Sequence, residues 1–351
     1  MHRISPEFHI EIPEDRVAQQ PSARRGDSRL LVVDRSLGRI VHLGDFSDLV
    51  RFLSGDLLIL NETRVLPAQV EGSRRGGGRV NLLFLSWEPL ENHEYAIQTL
   101  IRPSNRLKPG ARLSLPGGAG LELGARDPEW RWSGRWSPPE SEPTDFEAWM
   151  ERNGHPPLPP YIRREPVDSD RERYQTDYAR VPGSLAAPTA GLHFTPDLMS
   201  QIEAKGATFA KLTLDVGLGT FKPIINNDLS LHRMGAERFH IPGATVVAIE
   251  DARATGRKVT AVGTTVVRAL ESAASSDGQI RAGNGEAGLF IYPPFQFKAV
   301  ERLVTNFHRP DSTLLQLVAA FMGWDLVNIA YGTAVEQGFH FYSYGDAMLI
   351  L

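Results

Sequence analysis

The sequence predicts an α/β domain, a mixed sheet with flanking helices, together with a smaller all-β domain of sandwich or barrel type. Three observations predict it. Strand-like apolar runs alternate with capped helical segments through the second half of the chain. Short apolar runs broken by Gly, Pro and Asn recur about every 8–15 residues between Arg79 and Trp136. Two Pro-rich stretches, WSPPESEPTDF and GHPPLPPYIRREP, close the β-rich part.

In chain order, RLLVVDR and RIVHL flank a Ser36-Leu37-Gly38 turn and read as strands. A short helical stretch from Phe46 to Leu53 follows, then DLLILNETRVLPAQVEG as further strand. VNLLFLSW, YAIQTLI, RLSL and LELGA carry the small β domain, and one or two helical turns separate the Pro-rich stretches. Thr195-Pro196-Asp197 starts a helix, with a capping hydroxyl and Pro at the first helical position, that ends near Gly206. ATFAKLTLDVG is a strand, Ala244 to Thr255 a helix, KVTAVG a buried strand and Thr264 to Ser275 a helix. Leu289 to Tyr292 reads as a strand, Ser312 caps a helix through Met322, another helix runs to Gln337, and FHFYSYG reads as the closing strand.

Length and composition bound the function. The 351 residues suffice for one large or two modest domains, and 41% hydrophobic with 23% charged residues is ordinary soluble usage, which excludes fibrous and disordered classes. Cysteine is absent, so disulfides, thiolate nucleophiles and cysteine-held clusters are excluded. The N-terminal segment lacks an apolar signal region and Leu314 to Trp324 is too short to span a bilayer, so a cytoplasmic protein without a membrane partner is expected. The net charge of −4 predicts no nucleic-acid binding by itself, so basic patches must be local. They occur at Arg24-Arg25-Arg29, Arg74-Arg75-Arg79, Arg102 with Arg106 and Lys108, and Arg163-Arg164 with Arg171 and Arg173. Tyr161, Tyr174 and Tyr178 interleave with the last group. Phosphate contact with base stacking is one reading of these clusters; a solvated face is the other.

Two motifs are decoys. Gly283-x-Gly285-x-x-Gly288 has the dinucleotide spacing but lacks the preceding strand and following helix that the phosphate loop needs. His232, Glu237 and His240 match no metal-ligand spacing. Three loops carry more weight. AAPTAGLHFT places Thr189, His193 and Thr195 just ahead of a helix; Val216-Gly217-Leu218-Gly219-Thr220-Phe221 follows a strand; Thr305-Asn306-Phe307-His308 precedes the helix capped by Ser312. At Gly263-Thr264-Thr265 a buried strand meets a helix start, where free backbone N–H groups can face an anionic or polar ligand, although simple capping explains the same residues. Loops at strand ends of one α/β sheet converge on one crevice.

The run LPPYIRREPVDSDRERYQTDYARVPGSLAAPTAGLHFT, with GDLLILNETRVLPA before it and AVGTTVVRALES, TNFHRPDSTLLQLVAAF and FYSYGDAMLI after it, resembles the S-adenosylmethionine:tRNA ribosyltransferase-isomerases of queuosine biosynthesis. The resemblance spans nearly the whole chain. It implies an α/β domain at about residues 1–65 and 155–351 with a small β-barrel inserted at 66–154. It implies transfer and isomerisation of the ribosyl moiety of S-adenosylmethionine onto 7-aminomethyl-7-deazaguanine at the tRNA wobble position, giving epoxyqueuosine with release of adenine and methionine. S-adenosylmethionine is then co-substrate, no metal is implied, tRNA is the partner and a monomer is expected.

By position in the matching motifs, the catalytic candidates are His193, the first choice for proton transfer, Thr189 and Asp215. Gly191, Phe194, Thr195, Gly217, Gly219, Thr220 and Phe221 would line the reaction centre. Gly263, Thr264, Thr265 and Arg268 would meet the ribose or the methionine carboxylate, and Asn306, Phe307, His308 and Thr313 would complete the crevice. Arg29, Asn61, Thr63, Arg64, Tyr174, Gln175, Tyr178 and Glu237 would contribute on tRNA or co-substrate. Four positions depart from the family pattern: Asp215 stands for a His, Gly235 for the His of Met-His-x-Glu, Asn81 for a Glu and Val266 for a Ser. A paralogue using another amine acceptor, or a silent RNA- or nucleoside-binding protein, are the alternatives.

Overall fold

The computed structural model describes residues 6–140, 145–217, 219, 224 and 228–351. Strands β1 (Arg29–Asp34), β2 (Arg39–Asp45) and β3 (Leu57–Asn61) are followed by the short β4 (Thr63–Val65). Strands β5 (Gln69–Arg74), β6 (Arg79–Pro89), β7 (Tyr95–Arg102), β8 (Arg112–Ser114), β9 (Gly120–Arg126) and β10 (Trp132–Ser137) come next. Then follow α1 (Phe146–Asn153), α2 (Asp170–Arg173), β11 (Val181–Ser184), α3 (Pro196–Glu203), β12 (Thr208–Leu214), β13 (Glu237–Ile241), α4 (Gly243–Ala254), β14 (Val259–Val262) and α5 (Thr264–Ala273). The chain closes with β15 (Gly283–Ala287), β16 (Arg302–Asn306), α6 (Thr313–Met322), α7 (Trp324–Glu336) and β17 (Ala347–Ile350).

The fold has two compact units. The larger comprises residues 1–64, 159–164 and 173–351; the smaller comprises 65–158 and 165–172. The small unit is a closed antiparallel barrel ordered β10-β7-β6-β5-β8-β9. Closure removes the exposed strand edges that short strands would otherwise present. Its interior is aromatic: Phe84 meets Phe146 edge-on at 4.9 Å, Trp136 meets Phe146 at 5.1 Å, and Trp149 stacks on Phe146 at 5.8 Å. Helix α1 supplies Phe146 and Trp149 to this cluster, and Asp145 caps it by accepting from the Ala148 N–H at 2.8 Å.

The large unit is built on a nine-stranded mixed sheet ordered β15-β13-β12-β3-β14-β16-β17-β1-β2. Its four middle strands, β12, β3, β14 and β16, run parallel. Every residue of β3 and β14 is buried because helices cover both faces, and this is why LLIL and VTAV lack alternation. Alternate residues go to opposite cores. Leu57 and Ile59 join the side covered by α4 to α7, whereas Leu58 and Leu60 join Phe46, Leu49, Leu198 and Ile202 on the other.

Two strands expected from sequence lie elsewhere. The strand is Gly283–Ala287, inside the glycine motif, rather than Leu289 to Tyr292. Backbone pairing to β13 in the register Glu237↔Ala287 decides it, and Gly285 is needed because a Cβ there would overlap the Phe239 ring. FHFYSYG is also not the closing strand; Ala347–Ile350 is, because Tyr342 adopts φ +73° and turns the chain.

Candidate functional site

The parallel strands β3, β12, β14 and β16 end on one edge of the sheet, at Asn61, Leu214, Val262 and Asn306. Ligands of open α/β sheets bind at such carboxyl ends. A crevice there is walled by Ala186 to Ala190, Val216, Gly263 to Thr265, Thr305 to Asp311, Tyr161, Tyr342 and Ser343. Of the residues singled out in the sequence, it gathers Thr189, Gly263, Thr264, Thr265, Asn306, Phe307 and His308.

Each wall has a local cause. Gly263 takes φ +97° to turn β14 into α5, where no side chain caps the first turn. By contrast α3 and α6 are closed by Thr195, which accepts from the Leu198 N–H at 3.1 Å, and by Ser312, which accepts from the Leu315 N–H at 3.2 Å. The Val266 and Val267 N–H groups bond the Gly263 carbonyl, at 3.2 and 3.3 Å, which leaves the Thr264 and Thr265 end of α5, with its positive dipole, at the crevice. Tyr342, the non-glycine residue at φ +73°, lies against Tyr161 with ring centroids 4.9 Å apart, and the Tyr161 hydroxyl hydrogen-bonds Ser343 at 2.7 Å. Burial pushes both tyrosines up to about 12, so they are neutral hydrogen-bonding groups. Arg309 and Asp311 pair at 2.5 Å on the rim.

His193 sits behind Asn306 and is buried. Its Nδ1 is 2.8 Å from the Ser28 hydroxyl and its Nε2 is 3.1 Å from Asn306 Nδ2. The same Nδ2 donates to the Tyr342 carbonyl at 3.0 Å. A carbonyl only accepts, so the Asn306 amide nitrogen must be the atom facing it. His193 Nε2 therefore accepts, and Nδ1–H donates to Ser28. Burial drives the ring down to about 4, with Asn306 opposing and Arg25 adding to the fall. In this arrangement the ring is neutral and both of its nitrogens are engaged in hydrogen bonds within the protein. His308 is likewise driven by burial down to about 3 and bonds Thr305 Oγ1 through Nε2 at 2.8 Å.

Other expected site residues are structural or lie elsewhere. Gly191 is required because a Cβ would overlap the Tyr178 hydroxyl and Thr176. Phe194 packs edge-on against Phe46 at 5.3 Å in the core. Asn61 ties β3 to β12, accepting from the Leu214 N–H and donating to the Leu214 carbonyl, both at 3.0 Å. Thr63 bonds Ser184 at 2.7 Å. Arg268 and Glu237 form a buried ion pair; Arg268 also donates to the Ala287 carbonyl at 2.6 Å, and Glu237 accepts from the Gly217 N–H at 2.9 Å. They brace the Gly217 loop from behind, and Gly219 approaches the backbone of Gly235.

Asp215 is not among the residues that wall the crevice. On an extended chain neighbouring side chains point apart, so Val216 enters the crevice while Asp215 faces a separate depression beside Arg238, at 3.4 Å. Arg29 lies over the Phe339 ring at 4.0 Å and donates to the Gln337 carbonyl at 2.6 Å. Thr313 opens α6 and is buried without lining the crevice, Arg64 and Gln175 are half-buried, and Thr220 and Phe221 lie outside the described residues. Tyr174 is fully buried, edge-on to Tyr344 at 5.8 Å, and the Tyr178 ring lies 6.0 Å from the Lys211 ammonium.

Arginines of the cluster around the tyrosines, and the nearby Arg25, bond other parts of the chain, the exposed Arg163–Glu14 pair included. Arg25 pairs with Asp177 at 2.9 Å, Arg163 with Glu14 at 3.3 Å, and Arg173 donates to the Ser22 carbonyl at 2.7 Å. The decoy metal set is dispersed: Glu237 pairs inward, His240 bonds Asn284 at 2.7 Å and His232 lies against Phe290 at 4.9 Å. Among the described residues no group of three or more His, Cys, Asp or Glu is placed to hold a metal ion. Sequence reasoning missed Tyr342, Ser343, Arg309 and Asp311. The signal for Tyr342 and Ser343 was the run of small and polar residues in YSYG, which a strand reading suppressed; Arg309 and Asp311 directly follow Thr305-Asn306-Phe307-His308 in the quoted motif.

Residues 5–350 match the family described as queuosine biosynthesis protein. An S-adenosylmethionine:tRNA ribosyltransferase-isomerase of Geobacter metallireducens is 46% identical over 98% of both chains, and that of Moorella thermoacetica is 46% identical over 98% of this chain and 99% of its own. The solved structure of S-adenosylmethionine tRNA ribosyltransferase from Thermotoga maritima is 33% identical, with a TM-score of 0.55, covering 98% of this chain and 100% of that one. With a full-length match of this kind, the chain belongs to the queuosine biosynthesis protein family.

Proposed function

We propose that this chain is an S-adenosylmethionine:tRNA ribosyltransferase-isomerase. It moves and isomerises the ribosyl moiety of S-adenosylmethionine onto 7-aminomethyl-7-deazaguanine at the tRNA wobble position, forming epoxyqueuosine and releasing adenine and methionine. The observation that carries the reading is the crevice at the carboxyl ends of the parallel strands, with the uncapped start of α5 facing neutral, preoriented polar groups, in a chain of this family. The relatives' names support ribosyl transfer and isomerisation between S-adenosylmethionine and tRNA, the acceptor base and the products being this reading's own addition, and the crevice is where it would occur. The reading places the protein in the cytoplasm, as a monomer acting on tRNA, and assigns no metal.

In this reading the α5 start and Thr264 hold the acidic end of the co-substrate, and the Tyr161 and Tyr342 rings provide a flat wall against which a base can stack. Asp311, the carboxylate among the described lining residues, removes the proton next to the sulfonium, with Arg309 holding it in place. His193 acts as a positioning residue for Asn306. The test is to incubate the protein with S-adenosylmethionine and tRNA carrying the deazaguanine amine while following adenine release and the tRNA product. Asp311→Asn should lower adenine release by about 10²–10⁴-fold with co-substrate binding retained; an unchanged rate removes Asp311 from that role. Adenine release without modified tRNA would instead favour the paralogue, for which the changed positions Asp215 and Gly235, flanking the neighbouring Gly217 and Gly219, are the supporting observation.

A further inference from the structure

The buried carbonyl oxygen of Asn306 has no hydrogen-bond partner among the described residues, although the residue is only 1% exposed. An orphaned buried acceptor costs roughly 1–3 kcal/mol unless something satisfies it. The side chain cannot relieve it by flipping. Its amide nitrogen is held by two acceptors at once, the Tyr342 carbonyl at 3.0 Å and His193 Nε2 at 3.1 Å. His193 is itself locked by its Nδ1–H bond to Ser28 at 2.8 Å. The chain of bonds from Ser28 through His193 to Tyr342 therefore fixes which end of the amide faces away from it, in a residue that lines the crevice.

The second polar feature of the crevice has the opposite character. The first turn of α5, at Thr264 and Thr265, presents donors and the positive end of a ten-residue helix with no side-chain cap. It adjoins Asn306 because β14 and β16 are neighbours in the sheet, with the Gly263 N–H bonded to the Val304 carbonyl at 2.8 Å. An acceptor that lacks a donor thus stands next to donors that lack an acceptor.

We propose that this pair is an α-amino-acid site: the carboxylate of the methionine moiety of S-adenosylmethionine sits on the α5 start, and its ammonium donates to Asn306 Oδ1. His193 serves the site by holding the amide in register. The inference rests on the proposed co-substrate, and it adds which groups read the two charged ends of that molecule.

Equilibrium dialysis tests it with three probes: S-adenosylmethionine, its desamino analogue and its decarboxylated analogue. Wild-type protein should bind the parent roughly 10–100-fold more tightly than either analogue, because each leaves one buried group unsatisfied. Asn306→Leu should cost a similar factor with the parent and with the decarboxylated analogue, and little with the desamino analogue. His193→Phe should reduce discrimination against the desamino analogue, while His193→Gln, which keeps an acceptor for the Asn306 amide, should restore it. Wild-type binding of the parent and desamino analogue with equal strength would overturn the inference while leaving the co-substrate reading intact, and it needs no variant to fold. Absence of any S-adenosylmethionine binding would overturn both.

Discussion

Two pairs of strand exits on the same sheet edge behave oppositely. At the exits of β3 and β12 the buried Asn61, Ser184 and Glu237 are spent on the protein itself: Asn61 clamps Leu214, Ser184 accepts from the Val216 N–H at 2.7 Å, and Glu237 joins Gly217 to Arg268, although Arg268 Nε has no partner among the described residues. At the exits of β14 and β16 the helix start is uncapped and the Asn306 carbonyl is orphaned. Both pairs come from motif-rich sequence, so richness in polar motif residues does not separate scaffold from site. The difference teaches that an unsatisfied buried acceptor in a residue lining a crevice, beside an uncapped helix start, is where a ligand can complete the structure, whereas satisfied groups mark where the backbone needed tying.

The contrast is open to attack at three strengths. The largest effect should come from the satisfied side. Arg268→Met leaves the Glu237 carboxylate buried and uncompensated, which should cost about 3–5 kcal/mol of stability in chemical denaturation. Replacing both partners by apolar residues should recover much of that, since the pair serves bracing; a single variant within about 1 kcal/mol of wild type would make the brace dispensable.

The next concerns the open side. His193 is held neutral with a value lowered to about 4, so its folded form binds its proton less readily than the unfolded chain does. Its contribution is present above the unfolded value near 6.5 and is lost as pH falls from there through 4, on the order of 3 kcal/mol in all. His193→Gln should flatten that part of the stability–pH curve between pH 6.5 and 4, measured by urea midpoints. An identical slope in both proteins would mean that another group carries the acid sensitivity.

The smallest effect is on Gly235. Among the described residues no atom lies within 4 Å of where its Cβ would sit, so Gly235→His should change stability by no more than about 0.5 kcal/mol. A rise in adenine release in that variant would show that the departure from the family pattern lowers activity; no change would show that the position is neutral in this chain.

Most of the large unit was legible in the residues. Thr195, Pro196 and Ser312 are local signals, and the helices they open begin where those signals lie. The apolar runs LLIL and VTAV are buried on both faces, as their lack of alternation requires. The recurrence of short runs after Arg79 likewise pointed to a barrel, and a closed barrel is there. Glycine-rich β15 was not legible, because its pairing to β13 is made by backbone atoms and carries no apolar pattern. The turn at Tyr342 was hidden for the complementary reason: an aromatic run reads as strand, and tertiary contacts with Tyr161, Asn306 and the Phe307 carbonyl accompany its positive φ.

The sequence by itself determined the family motifs, the α/β rhythm, the exclusion of cysteine chemistry and the set of loops that meet at the sheet edge. Tertiary structure alone decided what each polar residue in those loops is for. His193 and Asp215 look equally reactive in one dimension, yet one is bonded at both nitrogens and the other faces away from the crevice. Neither property is local: the partners of His193 lie 165 and 113 residues away in the chain, and hydrogen-bond satisfaction exists only once those distant segments have been packed together.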